Sequence, residues 1–472
     1  MMEWIAPLMF AALVLFLLIG YPVAFSLAAV GLLFAWIGLE IGSLESGRLQ
    51  ALPERVFGIL SNDLLLAIPF FTFMGAILER CGLAEDLLEG IGQLFGAVRG
   101  GLAYAVIFVG AILGAVTGTV AASVIAMAMI SLPVMMRYGY DPRLATGVIA
   151  ASGTITQLIP PSLVLIVLGA QLGQSVGDMY AGAIGPSIVQ VLLFCAFIAF
   201  MSVWRPETMP ALPPEARTLR GRALMRKVLW GMLPSLALMF LVLGSLFAGL
   251  ATPTEAGAMG AVGALALAFA HRRYTHKLMW EAMASTMRIT AMVVFILIGS
   301  TIFGLVFRLF DGDLWIESLL LDLPGGPVGF LIAVNALVFV LAFFLDFFEI
   351  AFIVIPLLAP VAAKLGIHPV WFGVLLGANM QTSFMHPPFG FALFYLRGVA
   401  PREIKSKDIY WGALPWVGLQ LLLVAILILW PGLVTGLISV EVSIDPNSIQ
   451  IDLPPDVPHE ALPLEESLRS TP

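Results

Sequence analysis

Long apolar runs leave this chain little choice of solvent. Apolar stretches lie near 4–20, 22–41, 57–79, 101–136, 144–169, 177–203, 228–250, 252–270, 286–309, 328–363, 370–397 and 411–438. A bilayer crossing takes ~20 apolar residues, so there is room for roughly 10–13 crossings. Inside lipid every backbone N–H and C=O must find a partner in the protein, which only helices and closed barrels allow. Barrel strands alternate in units of ~10 residues, and no such alternation occurs. The chain therefore reads as an all-α polytopic membrane protein. Composition agrees, with 60% hydrophobic and 11% charged residues, where soluble domains carry about a quarter charged.

Charge placement organises the chain. A polar, proline-rich linker at 205–227 carries Arg205, Arg217, Arg220, Arg222, Arg226 and Lys227, and a shorter one at 271–277 carries Arg272, Arg273 and Lys277. Two spans separate them, so they share a side, and the positive-inside rule makes it cytoplasmic. The segment Arg402–Lys407 is also basic, but the span count does not place it. We divide the chain into an N-terminal transmembrane half (1–204), the basic linker (205–227), a C-terminal transmembrane half (228–438) and an acidic tail (439–472) expected to be disordered. Ile5–Gly20 lacks a basic region before it and a small-residue cleavage site, and reads as a first span. Cys81 and Cys195 form no disulfide framework or metal cluster.

The halves resemble each other. Pro133-Val134, Arg137, Gly139 and Pro142 recur as Pro360-Val361, Lys364, Gly366 and Pro369, and Pro160-Pro161 recurs as Pro387-Pro388, every match standing at one constant offset. A run of matches at one offset is duplication, the way many transporters are built, and an odd number of crossings between copies would invert them.

Two consecutive prolines remove two backbone donors and push the preceding residue out of the helical region. Each pair sits in a polar stretch, Ser152-Gly153-Thr154-Ile155-Thr156-Gln157 before Pro160-Pro161-Ser162, and Asn379-Met380-Gln381-Thr382-Ser383 before His386-Pro387-Pro388. We expect re-entrant helical hairpins at about 144–169 and 370–397; a proline-kinked span is the alternative. Each follows a second broken element. In the first half it is Gly114–Ser123, with Thr117 and Thr119; in the second it contains Asp346 and Glu349, and the offset sets Asp346 opposite Thr119. Carboxylates inside an apolar run are costly and usually functional, although a helix end at the interface would also hold them. His386 could donate to an anion or simply pack. Glu255, after Pro253, reads as a helix-start residue. Broken helices expose carbonyl oxygens suited to a hard cation, and helix N-termini suit a carboxylate. No phosphate loop (Gly-x-x-x-x-Gly-Lys-Ser/Thr) occurs, which excludes ATP-driven transport by this chain. No Ser/His/acid set is legible; an intramembrane enzyme using Asp346 and Glu349 and a channel are the rivals from other classes.

Gly118–Ser123, Gly139-Tyr140-Asp141-Pro142, Ser152–Ser162, Ser175-Val176-Gly177-Asp178, Thr252–Gly257 and Gln381–Gly390 resemble the large membrane subunit of TRAP transporters (tripartite ATP-independent periplasmic transporters), the DctM family, over about 4–438. Within it the chain looks most like the subgroup labelled for mannitol or chloroaromatic compounds. The resemblance implies an inverted-repeat elevator-type transporter in the bacterial inner membrane, with two hairpins and two broken helices in a mobile domain. It implies Na⁺-driven uptake of a small organic acid, a separate small four-helix membrane subunit and a periplasmic substrate-binding protein. A self-sufficient Na⁺/carboxylate symporter of similar build is the alternative. Carried onto matching positions, the Na⁺ sites are Thr117, Thr119, Ser152, Gly153 and Thr154, and Asp346, Asn379, Gln381, Thr382 and Ser383. Pro160, Pro161, Ser162, His386, Pro387 and Pro388 fall at the expected hairpin tips beside the substrate.

Overall fold

The computed structural model describes residues 4–117, 119–217, 221–388 and 390–438. The acidic tail at 439–472 lies outside the described residues, which are otherwise helices joined by short connections. The first half runs α1 (Ile5–Ile19), α2 (Val23–Glu40), α3 (Ser46–Leu49), α4 (Ala51–Leu60), α5 (Asp63–Arg80), α6 (Leu83–Leu94), α7 (Gly101–Thr117), α8 (Val120–Arg137), α9 (Pro142–Thr154), α10 (Leu163–Leu172) and α11 (Val176–Trp204). The second runs α12 (Gly221–Phe247), α13 (Pro253–Ala270), α14 (His276–Leu309), α15 (Gly312–Leu321), α16 (Gly326–Leu341), α17 (Phe347–Ile353), α18 (Ile355–Lys364), α19 (Pro369–Met380), α20 (Phe391–Val399), α21 (Ser406–Leu429) and α22 (Gly432–Thr435). Six of these, α2, α11, α12, α13, α14 and α21, are individually long and apolar enough to cross a membrane.

Helix starts follow local chemistry. Asp141 caps α9 by accepting from the N–H of Arg143 at 2.8 Å and of Leu144 at 3.3 Å, with Pro142 in the first turn, where its missing N–H costs nothing. Thr252 and Glu255 form a reciprocal capping box at the start of α13, the helix-start role read for Glu255.

The repeat is visible in the elements. The start of α8 maps onto the start of α17, and the start of α9 onto that of α19, at the offset that relates the proline pairs. Gly139 and Gly366 correspond in the same way, and their φ of 79° and 69° lie in the left-handed region glycine tolerates. Long-range packing exchanges the halves. α5 lies along α13, and α14 along α2; α20 touches α8, and α10 touches α17 and α18. Each contact has a counterpart with the halves swapped, as a pseudo-two-fold requires.

Hydrogen bonds and close approaches fix which ends share a face. Gly96 and Gly100 bond to the linker at Leu212 and Met209, Asp141 bonds to Thr208, and Arg143 pairs with Asp408 at 3.2 Å. The basic linker, the start of α7, the end of α8 and the start of α21 therefore lie together. Arg402–Lys407 joins this face and makes it strongly basic. At the opposite face Gly177 meets Leu246, and Gly182 meets Val370 and Val434. Exposed Trp204 and Trp411 mark the basic side, and exposed Trp36 and Trp430 the other, as interfacial aromatic belts do.

These contacts correct one expectation. The Pro-Pro segments are not re-entrant hairpins at 144–169 and 370–397; they are breaks in crossing helices. α9 starts at the basic face beside Asp408, and α10 ends beside Gly373 near the other. α19 starts there, where Trp371 donates to Leu427 O at 3.0 Å, and α20 ends at the basic face, where Arg397 donates to Ile404 O. The hairpins are the other two broken elements. α7 enters from the basic face and α8 returns to it, with Tyr140 Oη accepting from Leu102 N. α16 enters from the opposite face, and α17–α18 return to it, where Lys364 pairs with Glu317 of α15. Adjacent prolines interrupt a helix but do not dictate reversal. Here the chain resumes its direction after each pair, and reverses instead between α7 and α8 and between α16 and α17. Hairpins entering from opposite faces are an inverted repeat.

Candidate functional site

Both junctions are built where a hairpin tip meets a break. At junction 1 small residues allow backbone contact. A Cβ on Gly110 would lie 2.6 Å from Ser152 Cβ, one on Gly114 2.7 Å from Thr156 Cγ2, and one on Gly153 2.2 Å from Val124 Cγ2. The spacing Gly110-x-x-x-Gly114 is the small-residue seam that close helix pairs use in lipid. It sets the α7–α8 tip directly against Ser152–Thr156. Thr119 is the N-cap of α8 and makes no capping bond with its side chain; the side chain of Thr117 and all of Gly118 lie outside the described residues. Beyond the break, Ser162 caps α10, and its hydroxyl donates to Gln157 O.

At junction 2 the α16–α17 tip meets α19. Asn379 Nδ2 donates to Asn335 O at 2.8 Å and to Asn335 Oδ1 at 3.0 Å. The Phe347 and Phe384 rings lie 6.0 Å apart. His386 stacks on Phe343 at 4.1 Å and meets Phe339 edge-on at 4.5 Å. With Pro387 and the α21 residues Tyr410, Trp411, Leu414 and Val417, these rings line a groove of about 290 Å³. Asp346 does not bond to Asn379, Gln381, Thr382 or Ser383. It caps α17, accepting from Glu349 N at 2.8 Å, while Glu349 Oε2 accepts from Asp346 N at 2.9 Å. Asp346 and Thr119 thus hold the same place, the N-cap of a hairpin's return arm.

Hydrogen-bond accounting separates the candidate oxygens. The Gln381 amide is fully engaged, donating to Ala378 O at 2.9 Å and exchanging bonds with Gln190. The Thr154 hydroxyl donates to Ala151 O and accepts from Gln420 Nε2, each at 2.9 Å. The Ser152 hydroxyl donates to Ile149 O. Buried oxygens without a partner include Asn379 Oδ1, Thr382 Oγ1, Gln157 Oε1 and Gln420 Oε1. Such atoms carry a desolvation penalty of roughly 1–3 kcal/mol each, which a cation would relieve. Gln157, Gln190 and Gln420 are absent from the sequence-based candidates. Gln157 was legible as an amide beside a proline pair; the other two sit inside uniformly apolar spans, and only their polarity could have singled them out.

Residues 10–433 match the family described as the tripartite ATP-independent periplasmic transporter, DctM component. The chain belongs to that family. DctM proteins are transport proteins, not enzymes, and this one is a multi-pass protein of the inner membrane. It is 31% identical to the C4-dicarboxylate TRAP transporter large permease protein DctM of Pseudomonas aeruginosa, covering 83% of this chain and 89% of that one. It is 29% identical to the isethionate TRAP transporter permease protein DctMQ of Oleidesulfovibrio alaskensis over 85% of its own length, and spans 61% of that longer protein. In fold it resembles the Alcanivorax borkumensis YdaH transporter, with a TM-score of 0.57 at 16% identity, covering 82% of this chain and 90% of that one.

Proposed function

We propose that this DctM-family chain is the large permease of a three-part importer, which takes a small organic anion from a periplasmic binding protein and moves it inward on a Na⁺ gradient beside a small four-helix membrane subunit. The observation that carries the reading is the pair of hairpin–break junctions with partnerless buried oxygens. Relatives named for a C4-dicarboxylate and for isethionate, a carboxylate and a sulfonate, support an anionic substrate.

Na⁺ fits the donor set. It needs several oxygens and no nitrogen or sulfur, and each break offers carbonyls at the end of α9 or α19 that lack a helical partner. Asn379 Oδ1 and Thr382 Oγ1 would hold it at junction 2, with Asp346 supplying charge; the Ser152–Thr154 turn, Gln157 Oε1 and Thr119 Oγ1 would serve junction 1. The bound cation supplies the positive charge that makes an anion stable between the junctions. The N-termini of α8 and α10 have no carboxylate in their first turns, whereas α17 begins with both Asp346 and Glu349. An anion is therefore favoured on the junction 1 side, with Ser162, Pro160 and Pro161 shaping the approach. In this reading the His386 ring, packed in its aromatic groove beside Pro387 and Pro388, would donate to the anion from the junction 2 side. In this reading the two hairpins and two broken crossings move together as the elevator, past the scaffold pairs α2–α14 and α5–α13.

Reconstitution tests it. Proteoliposomes holding this chain with its small subunit should accumulate an organic acid only with the binding protein outside and an inward Na⁺ gradient. Accumulation by this chain alone, or without Na⁺, would refute the proposal.

A further inference from the structure

Two buried glutamines bind the halves together at matching points. Gln190 lies as far into α11 as Gln420 lies into α21, near the middle of each helix. Gln190 Nε2 donates to Gln381 Oε1 at 2.6 Å, and Gln381 Nε2 donates back to Gln190 Oε1 at 3.3 Å. Gln420 Nε2 donates to Thr154 Oγ1 at 2.9 Å. Thr154 and Gln381 are themselves equivalent positions, separated by the same offset as Pro160 and Pro387. Each glutamine therefore grips the equivalent residue in the broken helix of the opposite half. All four residues have 0% exposure. The second contact also reaches junction 2, because Met385 Sδ lies 3.7 Å from Thr154 Oγ1 and 3.8 Å from Gln420 Nε2.

We infer that Gln190 and Gln420 are positioning residues, paired latches that set the last turns of α19 and α9 and so tie the oxygen geometry of each junction to the other half. The inference rests on the Na⁺ reading above and adds the residues that regulate it. Burying an amide donor in an apolar span is costly unless it finds an acceptor, and losing one partner of such a bond strands the other. A latch of this kind transmits displacement, because the bond crosses from one repeat to the other.

The test measures the Na⁺-dependent rise in thermal midpoint of the purified full chain, with choline chloride as the matched salt, which yields an apparent Na⁺ affinity. Gln190→Met and Gln381→Met should each weaken that affinity by about tenfold, as should Gln420→Met and Thr154→Val, the scale of one stranded buried partner. Within each pair the double variant should be no weaker than the worse single, since both remove one interaction. If a methionine variant fails to fold, Gln420→Asn retains the amide but is too short for Thr154, and the same loss is expected. Additive losses, or a lower midpoint in choline with unchanged Na⁺ affinity, would reduce the glutamines to packing and overturn the inference. A wild-type chain indifferent to Na⁺ would overturn the cation reading, and the latch with it.

Discussion

Gly147→Val should abolish substrate uptake by the reconstituted importer while the chain still inserts into the membrane. Gly147 of α9 faces Gly412 of α21 with no side chain between them. A Cβ on Gly147 would lie 2.2 Å from Gly412 O and 2.6 Å from Trp416 Nε1. The reverse substitution is equally blocked, since a Cβ on Gly412 would lie 2.2 Å from Arg143 O. Backbone oxygens cannot rotate away as a flexible side chain can, so α9 and α21 must separate. Overpacking of this kind costs about 1–3 kcal/mol. The displacement occurs about two turns before Thr154, and the Thr154–Gln420 bond is lost with it. A Cβ on Gly418, also in α21, would meet no atom within 4 Å, so Gly418→Ala is the control and should transport normally. Wild-type uptake by Gly147→Val would show that the α9–α21 seam does not position junction 1.

Asp346 gives the second large effect, and two substitutions separate its possible roles. Its carboxylate caps α17 and receives the Glu349 N–H, while Glu349 receives the Asp346 N–H. Asparagine caps a helix about as well as aspartate, whereas alanine loses about 0.5–2 kcal/mol of cap. If Asp346 supplies charge to a cation, Asp346→Asn keeps the α16–α17 tip folded yet raises the half-saturating Na⁺ concentration at least about tenfold, equivalent to ~1.4 kcal/mol. Asp346→Ala should add a fall in thermal midpoint to the same loss of Na⁺ affinity. A wild-type Na⁺ response in Asp346→Asn would leave Asp346 as a cap alone.

Much of this architecture is legible in the residues themselves. Apolar runs dictate an all-helical membrane protein, and the constant offset between prolines and glycines locates the equivalent segments. The breaks at Pro160-Pro161 and Pro387-Pro388 follow from missing donors. Whether a broken helix continues or turns back does not follow. Thr119 and the Pro-Pro pair at 160–161 both fall outside the flanking helices, and the direction afterwards depends on packing between halves. α10 finds α17, α18 and α19 across the bundle, and α8 returns against α9. The candidate residues nevertheless cluster as expected, because tip and break exchange labels without exchanging partners: Ser152 and Gly153 still meet the Gly110–Val124 hairpin, and Asn379 still meets α16. Side-chain availability is the least legible property. Gln381 and Thr154 look like free oxygen donors in sequence, yet each is held by a glutamine from a distant span.

Two hairpins entering from opposite faces are the central requirement, since one site approached alternately from both sides depends on them. Arg137 and Lys364 are exposed, equivalent residues at the ends of the α7–α8 and α16–α18 hairpins. In a background with Cys81 and Cys195 replaced by serine, Arg137→Cys and Lys364→Cys should be labelled from opposite sides by a membrane-impermeant maleimide. The Lys364→Cys variant should react in intact spheroplasts, and the Arg137→Cys variant only in inverted vesicles. Labelling of both from the same side would contradict the inverted arrangement and the transport site built on it.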